Sequence, residues 1–433
     1  MAGLFLSTEE IRAGQLSSLN GLLQTVIPTN PFYTKKLAES QTPDQVSSIE
    51  EYVAAFPFTT KHEIAQDQTD HPPYGRNLTF PLDRYTRLHQ TSGTTGRPLR
   101  WLDTGETWSA LIDCWSEVYR AAGVTHADAC YFAFSFGPFL GFWLAFDAAN
   151  RMGCLCIPGG GQSSVGRVRT ILELKATVLC CTPSYAIHLA EVAAQERIDL
   201  AASHVRIIMV AGEAGGSIPA TRARIENLWP GARVRDHHGM TEVGPVTYEC
   251  PATPGRLHVM DSAFIAEIVD AQTTKTVPPG QPGELVLTTL QRTGSPLLRY
   301  RTGDLVRLAV RPEGQPCACG RFETSLDGGI LGRSDDMVIV RGVNIYPTAI
   351  EQILRGFKEV AEYQVHVAKR GAMTEMHIRV EPAAEVRHPA QLVSAIEMAL
   401  QSSLNLRVPV TAAPAGALPR AELKAHRWMR DSP

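Results

Sequence analysis

The sequence has no long apolar run. Apolar stretches such as residues 178–181 and 207–211 are as long as a β-strand and far too short to span a bilayer. Strong charge of either sign is also missing, since 41 basic residues nearly balance 44 acidic ones and the net charge is −3. A chain so close to neutrality offers no electrostatic surface to nucleic acid or to an anionic membrane. Neither is therefore expected as a partner.

A disulfide framework is not indicated either. The nine cysteines are an odd number spread along 433 residues, which suits a reducing compartment. The first residues have no basic segment ahead of an apolar one, so a secretory signal is not expected. The cytoplasm is the predicted location. Composition does not separate a monomer from a homodimer.

The order of the apolar segments predicts an α/β fold with two domains. Between residues 76 and 250, strand-like runs alternate with helical stretches, which is typical of parallel sheets covered by helices. Residues 256–310 instead contain strands separated by Pro/Gly turns, which indicates an antiparallel β sub-structure. After Gly332 the pattern is that of a small α+β domain. The predicted boundaries are 1–333 for a large N-terminal domain and 334–433 for a small, mobile C-terminal one.

A run of hydroxyl groups and glycines ends in a cation. It consists of Thr91, Ser92, Gly93, Thr94, Thr95, Gly96 and Arg97. Glycines let backbone N–H groups approach an anion, hydroxyls donate further hydrogen bonds, and the arginine supplies positive charge. The Walker A pattern is absent. Taken alone, the run is equally compatible with a polyphosphate loop and with a polar surface turn.

Two acidic motifs could contact a nucleotide. Between Asp236 and Glu242, the hydroxyl of Thr241 precedes a carboxylate that could hold Mg²⁺. The two adjacent histidines of this segment would face opposite sides of a strand, so structural packing of one of them is favoured over a shared metal. Asp304 follows a glycine turn and could accept both hydroxyls of a ribose, although an Asx turn explains it as well.

Two later segments, residues 332–347 and 418–424, complete the set. Read alone, the first is as compatible with a charged linker, and the second with a solvated surface lysine. In order and spacing, however, the motifs together resemble the adenylate-forming superfamily of acyl-CoA synthetases, peptide-synthetase adenylation domains and luciferases. Within that superfamily the chain is most similar to the phenylacetate–CoA ligase type, on residues 182–186, 316–321, 332–347 and 418–424. The resemblance implies an ATP-dependent, AMP-forming carboxylic acid–CoA ligase, which makes an acyl-adenylate and then a thioester.

The resemblance also implies a role for each matching residue. Lys424 would bridge the carboxylate and the α-phosphate, Thr241 would contact that phosphate, and Glu242 would bind Mg²⁺. The loop at 91–97 would hold the ATP phosphates. The other implied ATP- or AMP-binding residues are Gly212, Glu213, Asp236, His237, His238, Asp304 and Arg333. His238 stands where the family usually has a tyrosine flat against adenine, so the stacking platform is smaller.

The same resemblance implies two half-reactions with a domain rotation between them. Attack by an ionised carboxylate needs no general base, but the charge of its transition state must be neutralised. Thioester formation needs Lys424 moved away and a thiol brought to the acyl carbon. Asp335 would be the hinge, and Gly342 would line the tunnel for coenzyme A.

An aromatic run near residue 136 lies where the resemblance places the acid-binding helix and loop, although core packing explains such a run equally well. The pocket residues would be Phe136, Gly137 and Gly141. Planar apolar walls favour an aromatic acid, of the benzoate, 2-aminobenzoate or phenylacetate type, over a long-chain fatty acid. The carboxylate of Glu213 could hydrogen-bond an amino or hydroxyl group on the ring.

Two alternative functions stay open. The acyl acceptor could be the phosphopantetheine of a carrier protein, because it ends in the same thiol arm as coenzyme A. The chain could also be a catalytically silent nucleotide-binding regulator, although intact Lys424 and Glu242 count against that.

Three thiols and an imidazole form a candidate structural zinc site. These are Cys250, His258, Cys317 and Cys319, with prolines and glycines nearby that indicate turns. The Cys317–Cys319 spacing is tighter than the usual zinc spacing. Ordinary buried thiols are an equally compatible interpretation.

Overall fold

The structure, a computed structural model, describes residues 5–91, 98–312, 314–334, 336–341, 343–370, 373–420 and 427–430. Four predicted features lie outside these ranges: the loop at 92–97, the hinge Asp335, Gly342 and Lys424.

Helices and strands alternate along the described chain. The helices are α1 (Thr8–Thr29), α2 (Pro31–Glu39), α3 (Ile49–Ala55), α4 (Lys61–Asp70), α5 (Gly105–Ala122), α6 (Leu140–Arg151), α7 (Ser164–Glu173), α8 (Pro183–Gln195), α9 (Pro219–Leu228), α10 (Pro347–Arg355) and α11 (Pro389–Leu404). The strands are β1 (Tyr85–Gln90), β2 (Arg100–Thr104), β3 (Ala129–Phe132), β4 (Leu155–Pro158), β5 (Val178–Cys181), β6 (Ile207–Val210), β7 (Arg233–Asp236), β8 (Gly239–Met240), β9 (Gly244–Pro245), β10 (Thr247–Glu249), β11 (Arg256–Val259), β12 (Phe264–Val269), β13 (Pro282–Thr289), β14 (Tyr300–Arg307), β15 (Ser325–Asp327), β16 (Gly332–Arg333), β17 (Val338–Val340), β18 (Val343–Ile345), β19 (Val360–Arg370), β20 (Met373–Pro382), β21 (Val410–Ala412) and β22 (Trp428–Arg430).

Two compact units make up the chain, and the first contains the antiparallel sheets. It comprises Met1–Cys130, Ser135–Gly160 and Asp236–Gly329. Capping boxes begin α1 at Ser7 and α4 at Thr60, because each cap has a glutamate three residues later that returns the hydrogen bond. Strands β12, β13 and β14 form one antiparallel sheet, and β10, β11 and β15 form another. These sheets are the antiparallel sub-structure predicted for this part of the chain.

The second unit comprises Tyr131–Phe134, Gly161–Arg235 and Ile330–Pro433. Its strands β5, β6 and β7 lie side by side, and β5 pairs with β6 in parallel. Every residue of β5 and β6 is buried, as expected for parallel strands covered on both faces.

The C-terminal part of the second unit is an α+β structure. Its sheet has the order β21-β20-β19-β22, with β19 and β20 antiparallel and the outer pairs parallel. Helix α10 buries Ile350 and Leu354, and α11 buries Ile396 and Leu400, in the same core as Val365 and Ile378. The predicted fold class is confirmed. The boundary between residues 333 and 334 stays a prediction, since Ile330–Pro433 groups with Gly161–Arg235.

Nothing in the described helices is long and apolar enough to cross a membrane. All nine cysteines lie in the described part of the chain and are free thiols.

Candidate active site

Thr241 and Glu242 lie in the tight turn that joins β8 to β9 in the first unit. Their carbonyl oxygens accept hydrogen bonds from Nη1 of Arg292, at 2.7 and 2.8 Å. Glu242 is buried, and its Oε1 lies 3.3 Å from Nζ of Lys61. The turn therefore presents a nearly enclosed carboxylate beside an ammonium group, at the position where a cation and a phosphate are predicted.

Lys61 lies in the candidate site, beside Glu242, and was not predicted from the sequence. It is the first residue of α4, directly after the cap Thr60. A lysine at this position opposes the helix dipole, which favours negative charge at the N-terminus. That mismatch was the available signal, because lysines without another role are better tolerated near helix C-termini.

Asp304 and His238 lie against each other. Asp304 is on β14 and is buried, and its backbone N–H donates to Oγ1 of Thr302 at 3.0 Å. Its Oδ2 lies 3.1 Å from Nε2 of His238, whose own backbone N–H donates to Oγ1 of Thr247 at 2.8 Å. The structure thus brings together the predicted ribose carboxylate and the predicted adenine platform.

His237 packs into the interior next to this pair. Its ring meets that of Trp115 edge-on, with centroids 4.5 Å apart. Burial, helped by the neighbouring His238, lowers the pKa of His237 to about 3. The imidazole is therefore neutral near pH 7. Of the two adjacent histidines, His237 packs against an aromatic ring, and His238 lies beside a carboxylate.

The two ends of the predicted phosphate loop are held together. The N–H of Thr91 donates to the carbonyl of Leu99, and the N–H of Leu99 donates to Oγ1 of Thr91, both at 3.0 Å. These two hydrogen bonds join the residues on either side of 92–97, which lie outside the described part. Asp236, at the end of β7, donates its backbone N–H to Oε2 of Glu249 at 3.4 Å.

Three predicted nucleotide-binding residues belong to the second unit. Gly212 has a φ of +92°, a conformation that favours glycine. Glu213 accepts hydrogen bonds at Oε1 from the N–H of Ser184, at 2.8 Å, and from its hydroxyl. This contact puts a carboxylate at the N-terminus of α8, where the helix dipole favours it. Arg333 forms β16 with Gly332.

The predicted acid-pocket residues belong to an aromatic cluster in the first unit. Phe136 lies 4.8 Å from the ring of Trp143 and 5.5 Å from that of Phe146, measured between centroids. Nε1 of Trp143 donates to the carbonyl of Gly137 at 2.8 Å. A Cβ added at Gly141 would meet nothing within 4 Å. The cluster therefore combines aromatic faces with open space on α6.

The four candidate zinc ligands also come together, all within the first unit. Their ligand atoms lie within 4.8 Å of one another. The Sγ atoms of Cys250 and Cys317 are 3.7 Å apart, and Sγ of Cys319 is 3.3 Å from Nε2 of His258. Thiolates at about 2.3 Å from a tetrahedral zinc ion would be roughly 3.8 Å apart, so these distances fit such an ion.

Known proteins match this chain over nearly its whole length. Residues 25–291 match the family model of AMP-binding enzymes, and residues 342–431 match that of the AMP-binding enzyme C-terminal domain. Phenylacetate-coenzyme A ligase of Pseudomonas putida is 32% identical over 97% of this chain and 94% of its own length. The protein of the same name from Thermus thermophilus is 31% identical, over 96% and 95%.

Solved structures give the same result. A 2-hydroxyisobutyryl-CoA ligase in the postadenylation state, bound to 2-HIB-AMP, superposes with a TM-score of 0.92 and 28% identity, covering 99% of this chain and 91% of that one. In the thioesterification state, with 2-HIB-AMP and CoA, the TM-score is 0.73 at 29% identity, with 98% and 91% covered. The chain belongs to the AMP-binding enzyme family. Its predicted class, an AMP-forming acid–CoA ligase, is confirmed.

Proposed function

We propose that the chain joins an aromatic carboxylic acid of the phenylacetate, benzoate or 2-aminobenzoate type to coenzyme A. The acid carboxylate attacks the α-phosphorus of ATP, which gives acyl-AMP and releases pyrophosphate. The thiol then attacks the acyl carbon, which gives the thioester and releases AMP. The observation that carries the choice of acid is the aromatic cluster of Phe136, Trp143 and Phe146, in a chain whose relatives are phenylacetate–CoA ligases.

The adenylation step calls for positive charge around the α-phosphate. Lys424 is proposed to bridge the attacking carboxylate and that phosphate, and the loop at 91–97 to hold the other phosphates. Glu242 and the ATP phosphates would together hold Mg²⁺, a hard cation that prefers carboxylate and phosphate oxygens. When bound, the ion neutralises charge on the departing pyrophosphate. Lys61, 3.3 Å from Glu242, is proposed to add positive charge beside the same phosphates.

Nucleoside recognition is proposed for the pair of His238 and Asp304. Their contact at 3.1 Å would hold the imidazole beside the carboxylate that accepts the ribose hydroxyls. Gly212, Glu213, Asp236 and Arg333 are proposed as further nucleotide contacts. Asp335 is proposed as the hinge between the domains at 1–333 and 334–433, and Gly342 as part of the coenzyme A tunnel.

A pyrophosphate-release assay with a panel of acids tests the proposal. Phenylacetate, benzoate and 2-aminobenzoate are compared with 2-hydroxyisobutyrate and palmitate, each with and without coenzyme A. An aryl acid should give a kcat/KM at least about tenfold above those of the two aliphatic acids, equivalent to roughly 1.4 kcal/mol of discrimination. A preference for 2-hydroxyisobutyrate or palmitate would contradict the aromatic assignment. If a thioester forms only with a phosphopantetheinylated carrier protein, that protein is the acyl acceptor in place of coenzyme A.

We also propose that Cys250, His258, Cys317 and Cys319 bind a structural zinc ion. Three sulfurs and one imidazole are the donor set of a closed tetrahedral site, which leaves no position for a substrate. Nη1 of Arg256 donates to Sγ of Cys317 at 3.5 Å, which would offset the charge of a thiolate there. The site would tie β11 and the residue after β10 to the loop ahead of β15.

A further inference from the structure

Arg292 and Asp103 form an ion pair that is sealed from solvent. Their side chains are 1% and 0% exposed. Nε and Nη2 of Arg292 donate to Oδ1 and Oδ2 of Asp103, each at 2.7 Å, so the contact is bidentate. Asp103 is on β2 and Arg292 follows β13, so the pair connects two segments that are 189 residues apart in sequence.

The remaining nitrogen of the guanidinium is also engaged. Nη1 donates to the carbonyl oxygens of Thr241 and Glu242, as described above. All three guanidinium nitrogens therefore have partners, and Asp103 fixes the plane in which Nη1 lies. Because one fixed guanidinium group holds two consecutive carbonyl groups, the backbone of this turn has little conformational freedom.

Packing alone does not call for such a pair. Burying two charges is costly, and apolar side chains of similar volume often stabilise a core as well or better. A reason for the buried charges is the backbone that Arg292 holds. The two carbonyl groups belong to the residues proposed to contact the α-phosphate and Mg²⁺. Small displacements of such groups lower rates strongly.

We propose that Arg292, oriented by Asp103, is the positioning residue for the turn that carries Thr241 and Glu242. This inference rests on the proposed function, because it needs those two residues to contact ATP and its metal. Because its side chain is 1% exposed and its three nitrogens are engaged, Arg292 acts through this turn and not by contact with the substrate. Its role is to hold the turn in the geometry that accepts magnesium-bound ATP.

The chain contains a matched control for this pair. In the same unit, Nε and Nη2 of Arg299 donate to the two carboxylate oxygens of Glu267, at 2.9 and 2.7 Å, and Nη1 donates to the carbonyl of Phe56. Arg299 and Glu267 are similarly buried. The bidentate contact is the same, but Nη1 of Arg299 holds one carbonyl group instead of two, and the backbone there has no proposed role in the reaction.

Arg292→Lys and Arg299→Lys are compared by calorimetric binding of ATP with Mg²⁺, without acid, and by acid-dependent pyrophosphate release. A lysine keeps the charge but cannot make the bidentate contact and reach both carbonyl groups. For Arg292→Lys, ATP binding should weaken at least fivefold and pyrophosphate release should slow at least tenfold, while Arg299→Lys stays within twofold of the wild type. Both variants are compared after correction for the folded fraction.

Asp103→Asn is the second variant, and it covers the case in which Arg292→Lys does not fold. This variant should also weaken ATP binding, because the guanidinium of Arg292 no longer has two carboxylate oxygens as acceptors. Wild-type binding in every folded variant at Arg292 or Asp103 would overturn the inference, and so would equal losses in Arg292→Lys and Arg299→Lys. A wild-type chain that binds ATP but adenylates no acid would contradict the proposed function, while the binding comparison would still test the positioning role.

Discussion

At the residue scale, the neutral imidazole of His237 makes stability depend on pH. Its folded-state pKa of about 3 lies below the ordinary value of 6.5, because burial disfavours the charged form. The resulting contribution to stability is fully present above pH 6.5 and declines as the pH falls toward 3. Between pH 7 and pH 5 the loss should be about 2 kcal/mol.

Urea unfolding of His237→Leu at the two pH values measures this contribution. The variant should lose about 2 kcal/mol less than the wild type between pH 7 and pH 5. His126→Leu, a change at an exposed histidine, is the control and should follow the wild type. If His237→Leu loses as much as the wild type, the imidazole is already protonated or exposed in the folded chain.

At the residue scale, the sequence reveals candidates whose motif is local and does not reveal contacts that are made only by the fold. Thr241, Glu242 and Asp304 lie in short segments that can be recognised in the sequence. Lys61 and Arg292 each reach the turn at Thr241 from a distant part of the chain. No local pattern encodes which buried arginine pairs with which aspartate, because that depends on tertiary packing.

At the element scale, the proposed zinc ion would join the β10–β11 hairpin to the loop ahead of β15. Protein purified without chelator should contain about one zinc per chain, as expected for one four-ligand site. Cys317→Ser should lose the metal and melt lower by roughly 5 °C or more, because structural zinc contributes directly to folding stability. Elemental analysis and a thermal melt measure both effects.

Cys156→Ser is the control, because Cys156 is a half-buried thiol outside the cluster. It should keep both the metal content and the melting temperature. If the wild-type protein contains no metal and Cys317→Ser melts at the same temperature, the zinc proposal is wrong. The four side chains then only pack in the core.

Helices and strands could be predicted from the sequence where the pattern of apolar residues is strong. The apolar runs at β5 and β6 and the change of pattern after Gly332 predicted the parallel and α+β parts. The grouping of Ile330–Pro433 with Gly161–Arg235 was not predicted. It depends on contacts such as that of Thr221 with Glu351, which periodicity does not reveal.

At the scale of the whole molecule, the proposed mechanism has two half-reactions that use different residues. Lys424→Ala should slow acyl-AMP formation at least a hundredfold, because losing a cation at an anionic transition state costs about 3 kcal/mol or more. Thioester formation from synthetic acyl-AMP and coenzyme A should be nearly unchanged. Single-turnover rates of the two steps measure the split. Equal losses in both would mean that Lys424 does not act in adenylation alone.

The central claim is that an enzyme-bound acyl-adenylate precedes the thioester. The most direct measurement mixes the chain with ATP labelled at the α-phosphate, Mg²⁺ and phenylacetate or another acid selected by the panel, first without coenzyme A. Labelled acyl-AMP should form only when the acid is present, approaching one per active site, with pyrophosphate released. On addition of coenzyme A, the label should move to AMP while an equal amount of acyl-CoA appears. Label that ends in ADP, or thioester that forms without a preceding acyl-AMP, would contradict the account.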